Sequence, residues 1–149
     1  MIDVVLTPEE AQSPCGPVHG VSGVTQIGPM AVHPESCLTM LAAGELAHQR
    51  WLRDSGLFTS ARAWAVERGA VDDTGKAIGF LRQQFPGYTD DGYRQRFWQF
   101  RPAAEALLAA HWEHVLNVAE LLESCGYLNG DEAAALTGLP NPPELASEL

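Results

Sequence analysis

The residues with the types and spacing to do chemistry fall into a few small groups. Cys15 and His19 stand four apart, and so do His33 and Cys37. Two Cys and His pairs of that kind offer the thiolate and imidazole ligands a tetrahedral structural zinc uses. Pro14, Pro17 and Pro34 suit the same stretch equally well to ordinary loops. His111 and His114 are three apart, close enough on a helix to share a metal, yet no third ligand stands near them. The plain reading of His111 is a hydrogen-bonded residue on an apolar helix face. Asp72 and Asp73 lie in the run Gly69 to Ala77, where a carboxylate caps a helix start and meets the positive end of its dipole. One carboxylate alone cannot close a catalytic metal site. No Gly-x-Ser-x-Gly elbow and no cysteine-nucleophile signature occurs.

The elements that must position these groups follow from pattern and punctuation. Ile2–Leu6 and Val21–Ile27 read as two short strands of a hairpin, with Thr7-Pro8-Glu9-Glu10 and Pro14-Cys15-Gly16-Pro17 as a long loop between them. His33-Pro34-Glu35 opens a helix that runs to about Arg53. Thr59-Ser60 caps a short one that Gly69 ends, and Asp72 or Asp73 caps the next, with Ala77, Phe80, Leu81 and Phe85 as its apolar stripe. Thr89-Asp90-Asp91 caps another. Tyr93, Phe97, Phe100, Ala104, Leu107, His111, Val115, Val118 and Leu122 then mark one long helical face, with Phe97, Leu107, Val115 and Leu122 in the core and Pro102 kinking or dividing the helix. Gly126 stops it, Asn129-Gly130-Asp131-Glu132 starts a last helix, and Pro140 to Pro143 ends the fold. The fold class is thus α+β and predominantly helical, a short N-terminal β-hairpin followed by about five or six helices. Residues 1–139 form a single domain, with 140–149 as a tail.

Gly69-Ala70-Val71-Asp72-Asp73-Thr74-Gly75-Lys76-Ala77 resembles the segment of the FtsH-type ATP-dependent zinc metalloproteases that supplies a third zinc ligand from a helix start. On that resemblance Asp73 stands at the ligand position. Ser22-Gly23-Val24-Thr25-Gln26 resembles the family's Gly-Val-Thr-Gln strand, Leu41 to Ala47 its small-residue helix, and Leu121 to Leu136 its C-terminal helical end, all in the same order. The family's His-Glu-x-x-His helix, which provides two zinc ligands and a general base, has no counterpart; on the matched register it falls upstream of Ile2–Leu6. No Walker-type Gly-x-x-x-x-Gly-Lys-Ser/Thr loop occurs either. The resemblance implies a peptidase-like scaffold whose edge strand, at Val21, Gly23, Val24, Thr25 and Gln26, pairs with extended chain by β-augmentation.

Composition narrows the function. At 149 residues, 46% hydrophobic and 19% charged, the chain is globular. Neither a basic leader nor an 18-residue apolar run is present, and three widely spaced cysteines favour reduced thiols in the cytoplasm. All nine Lys and Arg fall within residues 50–101; residues 1–49 carry five acids and residues 102–149 eight, with no base in either. A net charge of −10 argues against direct nucleic-acid binding, which needs cations on phosphate. Glu113, Glu120 and Glu123 share one helix side and would receive a basic protein partner. The expectation is a non-catalytic protein-binding module, an adaptor or an inhibitor of the acidic kind mobile elements use, without cofactor. The alternative is an FtsH-like zinc metallopeptidase with unconventional ligands, among them Asp73, Cys15, His19, His33 or Cys37.

Overall fold

The computed structural model describes residues 2–13, 16–27 and 33–141; in the first two runs it describes the backbone and, of the side chains, Thr25 alone. The chain is predominantly helical. Its residues cluster into two compact units, Val32–Ala110 and the pair of segments Met1–Ala31 and His111–Leu149.

The first of these is a helical unit. Helix α1 spans Pro34–Asp54, α2 Ser60–Gly69, α3 Val71–Gln84 and α4 Asp90–Trp98. Proline in the first turn of α1 loses nothing by lacking an N–H, because that donor has no helical partner. The Thr59 and Thr89 side chains cap α2 and α4 by accepting from the backbone N–H of Arg62 and Gly92. Helix α3 packs on both α1 and α4, and α2 on α1. Leu38, Ala42, Leu46 and Leu52 of α1, Val66 of α2, Ala77 and Leu81 of α3 and Tyr93 and Phe97 of α4 are buried. Helix α5 begins at Arg101, with Pro102 in its first turn, and extends to Cys125. Its first half is tied to α1 by arginines: Arg50 donates to the Leu108 carbonyl at 3.3 Å and Arg101 to Glu45 at 3.2 Å.

Two expectations are corrected here. The cap of α3 is neither Asp72 nor Asp73 but the backbone of Ala70, with no side-chain bond. Ala70 is the single residue between α2 and α3; its N–H donates to Val66 and its carbonyl accepts from Thr74, so the helix is capped two residues before Asp72 and three before Asp73, and both acids sit inside the first turn. On α5 Ala104, Leu108 and Trp112 are buried, a step of four each time, as is Leu122 further along, whereas Leu107 is 55% exposed. A step of four from Ala104 passes the same helix side by about 40°, and a step of three falls about 60° short of it; packing selects Leu108.

In the second unit, strands β1 (Ile2–Ser13) and β2 (Gly16–Ile27) pair antiparallel, and β3 (Tyr127–Leu128) pairs with β1 at Val4 and Val5. Both long strands exceed their predicted bounds and take up most of the expected loop. Pro8 lies beyond the short β3 pairing and opposite Val21 of β2. The second half of α5 starts where its dihedrals break, at His111 with φ −120° and ψ 19°. It ends at Gly126, and helix α6 (Gly130–Thr137) follows. Asn129 caps α6 through a reciprocal box with Glu132, and Gly138 closes it in the left-handed conformation at φ 70°. Leu122 and Leu128 are buried in this unit.

Candidate functional site

Asp73 stands in the first turn of α3, half-buried, with Asp72 exposed beside it. The Lys76 ammonium lies 3.6 Å from one Asp73 oxygen. The other oxygen faces Gly44 of α1, where an added Cβ would lie 3.6 Å away, an ordinary contact distance. The neighbouring acid, Glu45, is already engaged, since Gln49 and Arg101 both donate to its Oε1 at 2.8 and 3.2 Å. Among the described residues no three His, Cys, Asp or Glu converge. Among the described residues, the zinc implied by the family resemblance therefore does not fit around Asp73: no third ligand converges there, and the Asp73 carboxylate already has an ammonium as its counter-ion.

The Cys and His pairs are brought no closer to a metal centre. His33 is exposed and serves as the N-cap residue of α1, its carbonyl accepting from the Cys37 N–H at 3.2 Å. Cys37 is half-buried on the same turn. Cys15, the side chains of His19, Val21, Val24 and Gln26, and the tail from residue 142 lie outside the described residues. Thr25 is exposed, and Gly23 lies within β2, which stands at the edge of the strand order β2-β1-β3.

The second half of α5 carries two different surfaces. On one side His111, His114, Val115, Val118, Ala119 and Leu122 join Thr137 and Leu139, beyond and at the end of α6, around an open groove of about 420 Å³. That volume lies in the range of ligand pockets, about 300–1,000 Å³, and its lining is almost entirely carbon. On the other side Glu113, Glu120 and Glu123 are all exposed. At 100° per residue their mean direction lies roughly 160° from that of the groove, so the acids back the groove instead of rimming it. Charge is divided between the units as well. Met1–Ala31 with His111–Leu149 holds ten acids and no Lys or Arg, while Val32–Ala110 holds nine of each sign. The whole net charge belongs to one unit.

No family model, curated protein or solved structure matches the chain. Among the described residues no helix is long and apolar enough to cross a membrane.

The groove is the feature that sequence reading missed. Val115 and Val118 have core spacing but are only half-buried, because the residues that approach them, Thr137 at the end of α6 and Leu139 beyond it, leave the trough open. His114, assigned above only to a pair with His111, is part of its wall. The sole local hint was the coincidence of two histidines with an apolar stripe.

Proposed function

We propose that this chain is a non-catalytic protein-binding module that grips a basic partner through its acidic unit, as an adaptor or an inhibitor, on a scaffold resembling FtsH-type peptidases. The observation that carries the reading is the charge division: ten acids and no Lys or Arg in one compact unit, with Glu113, Glu120 and Glu123 exposed in a row on α5. A surface of one sign steers oppositely charged partners and raises their association rate. The edge strand of an N-terminal hairpin, Val21–Ile27, is a second place for extended chain to add. Three widely spaced cysteines fit a reducing compartment, the cytoplasm.

The test uses a lysine-rich helical peptide as the probe and stopped-flow fluorescence as the readout. Association should slow steeply from low to moderate salt, since screening shortens to about 8 Å at physiological ionic strength. It should also slow when Glu113, Glu120 and Glu123 are changed together to glutamine. Association indifferent to both changes would overturn the reading.

A further inference from the structure

The two groove histidines do more than fill a wall. His111 and His114 lie on one side of α5, both half-buried, with ring centres 5.7 Å apart and ring planes 27° from parallel. Among the described residues, the contact between the two rings is the one aromatic contact recorded for either, and no described group hydrogen-bonds to an imidazole nitrogen. Imidazole is a ligand for borderline divalent metals, and two on adjacent turns chelate where one alone binds weakly.

We propose that His111 and His114 form an open two-imidazole site for a divalent transition metal of the nickel, copper or zinc group. A ligating nitrogen lies about 2.0–2.1 Å from such an ion, which puts each ring centre about 3.2 Å from it and, at the tetrahedral angle, the two centres about 5.2 Å apart. The observed separation exceeds that by about 0.5 Å, and rotation about the side-chain torsions has both to close that gap and to turn a nitrogen of each near-parallel ring toward one ion. The break in helical dihedrals at His111 moves its Cα–Cβ bond off the ideal i, i+3 direction, so the pair is not bound to regular helix spacing. Charge favours the cation: the unit holding the pair carries ten acids and no Lys or Arg. Glu113 lies between the two histidines in sequence but is turned about 100° from His114 and about 160° from His111, so it acts through field and not as a ligand. No third protein donor converges on the pair among the described residues, and the other coordination positions go to water.

The site is distinct from Asp73 and independent of the partner reading. Titrating Ni²⁺ into the tag-free chain by calorimetry tests it. Nickel should bind at one site, and His111→Ala or His114→Ala should each weaken it by about a hundredfold, because either change removes the intramolecular second bond. His33→Ala, at the other Cys and His pair, should leave the binding unchanged. Far-UV circular dichroism matching the parent qualifies each variant; if His111→Ala unfolds, His114→Ala, on regular helix, decides. No nickel binding by the parent chain, or binding that survives His114→Ala, overturns the site.

Discussion

Leu107 and Leu108 are adjacent, chemically identical and opposite in environment, which makes them a direct test of how α5 is seated in the helical unit. Leu108 is 9% exposed and Leu107 55%. Changing leucine to alanine removes three side-chain carbons; at about 0.8 kcal/mol per buried methylene the transfer term at Leu108 is about 2.4 kcal/mol. Incomplete collapse around the vacated volume adds to that, so Leu108→Ala should cost roughly 2–5 kcal/mol. Leu107→Ala gives up little burial and should stay within about 0.5 kcal/mol. Urea unfolding followed by circular dichroism measures both, with the slope expected to stay constant so that the midpoint shift reports stability alone. On heating, the Leu108 variant should melt lower by roughly 2–4 °C for each kcal/mol. Should Leu107→Ala prove as costly as Leu108→Ala, α5 is rotated from the face described and the step of four from Ala104 to Leu108 to Trp112 is wrong.

Other outcomes follow from single contacts. In the part-buried pair Arg101 and Glu45, with Gln49 on the same oxygen, a double-mutant cycle of Arg101→Met and Glu45→Gln should return a coupling energy of about 0.5–3 kcal/mol; zero coupling would mean that the bond is absent in solution. Asn129 accepts from both Asp131 and Glu132 backbone N–H groups, so Asn129→Ala should lower stability by about 0.5–2 kcal/mol, and no change in the unfolding midpoint would remove the capping box from the account of α6. Unfolded casein incubated with the chain and zinc should stay intact, since Asp73 is paired with Lys76 and among the described residues no three ligating groups converge; cleavage that a chelator or Asp73→Ala abolishes would restore a peptidase reading.

How much of this was legible in the sequence depended on whether the deciding interaction is local. Thr59, Thr89 and Asn129 cap helices through bonds reaching three residues onward, and each could be read from residue type and spacing. Asp73 was misread as a cap because the competing fact is also local but negative: with Ala70 alone between α2 and α3, there is no room for a capping loop, and composition does not reveal how short a connection will be. Leu107 failed for a different reason. A helical stripe about 100° wide admits both a step of three and a step of four, and only the surface it meets chooses between them.

The groove was harder still, because it is made by Thr137 at the end of α6 and Leu139 beyond it meeting α5, and no periodicity along α5 encodes what does or does not cover it. The acid row, by contrast, was readable in outline: intervals of seven and three keep Glu113, Glu120 and Glu123 on one side whatever packs elsewhere, and all three are exposed. What spacing could not supply is the relation of that row to an apolar surface. The acids and the groove occupy opposite sides of the same helical segment, so a basic partner drawn to the acids and an apolar occupant of the groove would not compete for the same atoms. One consequence separates the two: changing Glu113, Glu120 and Glu123 to glutamine should slow association of a cationic probe while leaving nickel binding at His111 and His114 nearly intact, since across the helix only the screened long-range field connects them.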